Sequence, residues 1–128
     1  MKSRDTALRL RRFEADDKAR KVADLERMIR DFETMAADLE RQILAEEDRT
    51  GIRDAAHFAY STFAKSAAQR RDNLRSSASE LVHKLEAAQR ELEDALEQLQ
   101  RAAPVQPARE EHHRGRRRGE RANGAVYR

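Results

Sequence analysis

Two long apolar stripes constrain the fold of this chain more than any other feature. In each stripe, apolar residues recur at alternating steps of three and four, which places them on one seam of an α-helix that packs against a partner helix. A β-strand would alternate at every second residue, and neither segment does so. The first stripe is Val22, Leu25, Ile29, Phe32, Ala36, Leu39 and Ile43, and the second is Leu74, Ala78, Leu81, Leu85, Ala88, Leu92, Ala95, Leu99 and Ala102.

The composition favours a thin apolar seam between two helices over a globular core. Charged residues make up 40% of the chain and aromatic residues only 5%. A coiled-coil helix needs to bury only about two residues in every seven. We therefore predict an all-α protein, in which residues 1–103 form a long antiparallel two-helix coiled-coil hairpin.

The first helix is expected over about residues 2–50. Ser3 is the expected N-cap, because its hydroxyl can accept a hydrogen bond from an otherwise unpaired backbone N–H. Gly51 is the expected end, because glycine readily adopts the left-handed backbone conformation that closes a helix.

A connection over residues 51–60 and a second helix over about residues 61–103 should follow. Ser61 or Thr62 is the expected N-cap of the second helix. Pro104 should end this helix, because proline lacks the backbone N–H and clashes with the preceding turn.

Residues 104–128 differ from the helical part in charge and pattern. They hold seven Arg and three Glu, whereas residues 1–103 hold 20 Lys and Arg against 21 Asp and Glu. The tail has no apolar periodicity, so we predict that it is disordered and basic. Such a tail either is simply solvated or binds the phosphates of nucleic acid, or another anionic surface, in a salt-sensitive manner.

One register pairs large residues with small ones across the seam, and a slip by one heptad is its main competitor. Three cationic residues, Arg11, Lys18 and Arg71, occupy seam positions and are expected to keep their charged ends in water. The pairs expected across the seam are Phe32 with Ala78, Val22 with Ala88, Lys21 with Glu91, and Glu33 with Arg75.

A cluster of aromatic residues follows the glycine. His57, Phe58, Tyr60 and Phe63 lie in or beside the connection of an otherwise very polar chain. They could seal the end of the hairpin as a hydrophobic plug. They could also form an exposed docking patch, because aromatic residues dominate protein–protein recognition. Both interpretations can hold together.

The sequence offers no arrangement typical of catalysis or of metal or cofactor binding. The chain has no cysteine, and its glycines form no phosphate-binding loop. The pair His112–His113 lies in an arginine tract without organised carboxylates, and His83 is off the seam. We therefore expect no catalytic, metal or cofactor site, and a protein that is not an enzyme. No segment is apolar enough to insert in a membrane.

Two stretches resemble the flagellar export protein FliJ family. One is the opening MKSRDT, which leads to LRRF at residues 10–13. The other is HFAYSTFAK at residues 57–65, with AQRRDNL at residues 68–74. The resemblance covers about residues 1–100, and the family extends its second helix beyond the point where this chain has Pro104.

This resemblance implies a non-enzymatic part of the type III export apparatus, needed for motility. The expected partners are the hexameric export ATPase, the membrane-embedded export gate and the escort chaperones of export substrates. The expected location is cytoplasmic, at the inner-membrane side of the flagellar basal body. His57, Phe58, Tyr60 and Phe63 would form the gate-side end.

The other end of the rod would engage the ATPase ring. Its candidate residues are Arg4, Arg9, Leu10, Arg11, Arg12 and Phe13. The alternative is a generic coiled-coil scaffold whose basic tail binds nucleic acid or an anionic surface. In either case two hairpins could associate into a four-helix bundle.

Overall fold

Two long helices form an antiparallel hairpin. The computed structural model describes residues 2–103, in which α1 spans Lys2–Thr50 and α2 spans Thr62–Ala102. The all-α two-helix hairpin predicted from the stripes is confirmed. The 49 residues of α1 make a rod about 70 Å long. The tail predicted to be disordered, residues 104–128, lies outside the described residues.

α1 ends at the residue that the sequence predicts, whereas it begins before the predicted N-cap. Gly51 has a φ of +76°, and its N–H donates to the carbonyl of Glu47 at 2.8 Å. The predicted helix end at Gly51 is confirmed. The predicted N-cap at Ser3 is wrong, because α1 already begins at Lys2 and Ser3 lies within its first turn.

Both ends of α2 are closed by local hydrogen bonds. Ser61 is the N-cap, and its Oγ accepts a hydrogen bond from the N–H of Ala64 at 3.2 Å. At the other end, the N–H of Ala103 donates to the carbonyl of Leu99 at 2.9 Å. Ala103 itself has extended backbone, the conformation that a following proline favours.

Eight of the eleven buried apolar residues in the described part of the chain form two clusters along the seam, and the two stripes supply all of these except Ala64 and Ala67. The cluster in the middle of the rod is Leu25, Ile29, Leu81 and Ala88, with Val22, Phe32 and Leu85 packed against it. The cluster next to the connection, here called the tip cluster, is Leu39, Ile43, Ala64 and Ala67, with Tyr60, Ala68 and Leu74 packed against it.

Ion pairs across the seam show that the register of the two helices is close to the predicted one. The Nζ of Lys21 lies 4.0 Å from the carboxylate of Glu91, as predicted. The predicted pair of Glu33 with Arg75 is wrong. Arg75 instead lies 3.8 Å from Glu40, one heptad closer to the connection. The same carboxylate accepts from Arg71 at 2.6 Å, so Glu40 lies between the two arginines.

The cationic seam residues have carboxylate or amide partners rather than water alone. Lys18 donates to Glu91 at 3.1 Å, and Arg11 donates to Gln98 at 2.6 Å. The side chain of Arg71 is only 19% exposed, because it lies between Glu40 and Asp72. The expectation that all three charged ends lie in water is therefore wrong for Arg71.

Candidate functional site

The connection between the helices consists of two linked turns built in the same way. In the first, the carbonyl of Asp54 accepts from the N–H of His57 at 3.0 Å, and its Oδ1 accepts from Ala56 at 2.9 Å. In the second, the carbonyl of His57 accepts from the N–H of Tyr60 at 3.0 Å, and its Nδ1 accepts from Ala59 at 2.9 Å. One residue in each turn thus supplies both acceptors, which gives this end of the rod a defined backbone.

Phe58 projects from the second turn. It is 96% exposed, and within residues 2–103 its ring stacks on one other ring, the imidazole of His57, at 4.7 Å between centroids and 20° between planes. Phe63, in the first turn of α2, is 53% exposed. Exposed phenyl rings are costly to leave in water and are typical of surfaces that a partner covers.

Tyr60 has the opposite orientation. Its ring packs against the tip cluster, and its hydroxyl donates to Glu47 Oε2 at 2.6 Å. This hydrogen bond to a carboxylate raises the pKa of Tyr60, because the phenolate would lose it. Of the two interpretations of the aromatic cluster, Tyr60 therefore fits the plug, whereas Phe58 and Phe63 fit the exposed patch.

A second carboxylate holds the start of α2 against the end of α1. Ser61 Oγ donates to Glu46 Oε2 at 2.6 Å, and Arg49 donates to both oxygens of Glu46 at 3.0 and 2.8 Å. The hydrogen bonds from Arg49 and Ser61 lower the pKa of Glu46 from 4.5 to about 2. The carboxylate therefore stays charged at any ordinary pH and remains an acceptor for both helices.

Sequence reasoning missed these two carboxylates. Glu46 and Glu47 lie in the last turn and a half of α1. They accept hydrogen bonds from Ser61 and Tyr60, the residues that follow the exposed Phe58 turn. A signal was present, since two adjacent glutamates near a helix end can each accept from a hydroxyl that follows the connection. The sequence pattern by itself marks Tyr60 as an aromatic residue and Ser61 as a cap.

The other end of the rod, here called the termini pole, carries the second set of candidate residues. Leu10 and Phe13 lie one turn apart on α1 and are 54% and 62% exposed. Arg11 is half-buried and donates to Glu14 at 3.3 Å and to Gln98. The remaining candidates, Arg4, Arg9 and Arg12, are exposed.

A groove runs along the seam beside Phe13. Its volume is about 430 Å³, and charged residues of both signs line it. The hydrogen bond from Lys18 lowers the pKa of Glu91 on its wall. The mixture of charges suits a polar protein segment better than a small apolar ligand. The lining residues are Arg11, Phe13, Glu14, Asp17, Lys18, Glu91, Asp94, Ala95 and Gln98.

The described residues contain no cluster of His, Asp or Glu that could hold a metal ion. His83 lies on the surface of α2 with 78% of its side chain exposed, and His112–His113 fall outside the described residues. Between residues 2 and 103, neither helix is long and apolar enough to cross a membrane.

Comparison with known proteins identifies no family for this hairpin. No family model matches the chain, and no curated protein or solved structure is similar to it at a significant level. The fold and its two exposed ends therefore define a class, a two-helix coiled-coil rod, and nothing narrower.

Proposed function

We propose that this chain is a non-enzymatic rod of the bacterial flagellar type III export apparatus, which couples the export ATPase to the export gate. In this role the connection contacts the gate and the termini pole contacts the ATPase ring. The rod also receives the escort chaperones of export substrates. It works in the cytoplasm, bound peripherally at the inner membrane beside the basal body.

The observation that carries the proposal is the 96% exposed Phe58 at the end of a rod about 70 Å long. The segment of strongest resemblance, residues 57–65, coincides with this turn. Tyr60 and Ser61 anchor the turn to α1, so the phenyl ring is presented from a fixed base. Preorganisation of this kind lowers the entropy cost of binding and suits a recognition surface.

The termini pole supports the second contact. Leu10 and Phe13 expose an apolar patch among the arginines of the first turns of α1. The charges beside Phe13 have both signs, since Glu14 and Asp17 line the same groove as Arg11 and Lys18. The patch therefore fits a partner surface that is apolar at its centre and carries charges of both signs at its rim.

One observation favours the alternative, a coiled-coil scaffold that binds through its tail. Residues 104–128 carry seven Arg against three Glu, whereas the hairpin is close to neutral. A tail of this charge would hold nucleic acid or an anionic surface with an affinity that falls steeply with salt.

Binding of the purified export ATPase and of the cytoplasmic domain of the gate protein distinguishes the two functions. The full chain and a chain ending at Ala103 are compared at low and moderate salt. The export role predicts that both chains bind both partners at moderate salt. The scaffold role predicts binding only by the full chain, and its loss at moderate salt.

Point variants assign each partner to one end of the rod. Phe58→Ala should weaken gate binding by about tenfold, the usual effect of removing a recognition aromatic, and leave ATPase binding unchanged. Phe13→Ala should do the reverse. Met35→Ala is the matched control, because Met35 is 41% exposed in the middle of the rod. Equal effects of all three variants on both partners would contradict the proposal.

A further inference from the structure

We infer that His57 makes the presentation of Phe58 sensitive to pH, so that protonation of the imidazole breaks the side-chain hydrogen bond of the second turn of the connection. This inference deepens the proposed function, since it assigns regulation to the same recognition surface. The inference depends on the geometry of one hydrogen bond, from the N–H of Ala59 to Nδ1 of His57 at 2.9 Å.

That hydrogen bond requires a neutral imidazole. Nδ1 can accept only while it carries a lone pair, and both ring nitrogens of the charged form are donors. Turning the ring over would bring a C–H against the N–H of Ala59, so the acceptor assignment follows from the 2.9 Å distance. Protonation at Nδ1 would set two N–H groups against each other, and the ring would have to rotate away.

Rotation of the imidazole removes the one ring contact that Phe58 makes within residues 2–103. The two rings stack at 4.7 Å, and the side chain of Phe58 is otherwise exposed. Loss of this contact therefore converts a positioned phenyl ring into one that samples several orientations, while the backbone hydrogen bond from Tyr60 to the carbonyl of His57 still holds the turn. A partner then has to order the phenyl ring when it binds, and its affinity for the chain falls.

The first turn has an aspartate where the second turn has His57, and this difference decides which turn responds to pH. Asp54 makes the same contact, from its Oδ1 to the N–H of Ala56, but a carboxylate keeps its acceptors at neutral and mildly acidic pH. Histidine changes charge between about pH 5 and pH 8. Of the two equivalent turns, only the one that holds Phe58 depends on an imidazole acceptor.

The charged groups near the turn already have other partners. Arg53 pairs with Asp48 and lies 3.8 Å from Glu47. Across residues 2–103, no salt bridge joins His57 to a carboxylate.

Nuclear magnetic resonance of the ¹⁵N-labelled full chain, titrated from about pH 8 to about pH 5, tests the inference directly. The expected result is a shift of the Ala59 amide signal that shares its midpoint with the ring signals of His57. His57→Asn should abolish the shift, because the asparagine Oδ1 can accept from Ala59 and does not titrate. His83→Asn is the matched control and should leave the transition intact.

Two results would overturn the inference. One is an Ala59 amide that stays constant while the ring of His57 titrates, and the other is a transition that persists in His57→Asn. If the gate protein is the partner, its affinity should fall about threefold to tenfold across the same transition, the factor for one lost hydrogen bond. Absence of gate binding at every pH would contradict the proposed function and leave the titration result standing.

Discussion

Replacement of Ile43 by alanine tests whether the seam beside the connection holds the rod together. Ile43 is 4% exposed and packs with Leu39, Ala64 and Ala67 in the tip cluster. The change deletes about three buried carbon atoms, which costs about 2.4 kcal/mol at about 0.8 kcal/mol each. Alanine recovers about 0.4 kcal/mol through its higher helix propensity. A seam two helices thick can collapse around the gap, so the expected loss in the free energy of unfolding is about 2 kcal/mol.

Leu44 provides the control, because it is the next residue on the same helix and is 45% exposed. Leu44→Ala should cost less than about 1 kcal/mol, since most of its surface stays in contact with water. Urea denaturation followed by far-UV circular dichroism measures both changes. In thermal denaturation, Ile43→Ala should lower the Tm by about 8–16 °C. Equal losses for the two variants would refute the reasoning, because α1 would then not pack on α2 by this stripe.

Three further predictions concern side chains that the seam or the connection holds. Arg71→Leu should cost less stability in urea denaturation than Arg71→Ala, because leucine packs in the seam while both variants leave the carboxylate of Glu40 without its closer guanidinium partner. Arg71→Ala, which adds no packing, should destabilise the protein. The wild type should be more stable than Glu46→Gln at neutral pH, and this advantage should vanish as the pH falls from about 4.5 to about 2, where the carboxylate of Glu46 becomes protonated. Phe58→Ala should leave the Tm within about 1 °C of the wild type, because its ring makes almost no contacts within the fold. A large loss of Tm in that variant would place Phe58 in the core.

The heptad pattern was sufficient to predict the helices, because burial along a coiled coil depends on residue spacing alone. It predicted the hairpin and the ion pair of Lys21 with Glu91, whereas the helix end at Gly51 followed from the backbone freedom of glycine. It failed for Glu33 and Arg75, because long side chains choose among carboxylates one heptad apart and the pattern does not rank them.

The candidate site was less predictable than the rod that carries it. The sequence pointed to the aromatic cluster but could not separate Tyr60, which turns inward, from Phe58, which turns outward. That separation depends on two backbone turns and on the carboxylate of Glu47, and neither has a periodic signature. Local hydrogen bonds in an irregular segment have to be observed, because many sequences share the same composition of turn residues.

The geometry of the connection makes recognition separable from folding. The residues that hold the turn, Tyr60 and Ser61, bond to carboxylates of α1, whereas the residue that protrudes, Phe58, bonds to none of them. Changes at Phe58 should therefore alter partner choice at almost no cost in stability, and changes at Tyr60 should alter both. The comparison of Phe58→Ala with Tyr60→Ala follows from this division. The first should retain the thermal transition and lose the partner, and the second should lower the transition as well. If both variants retained the wild-type transition, the contact between Tyr60 and Glu47 would not be what positions the exposed ring.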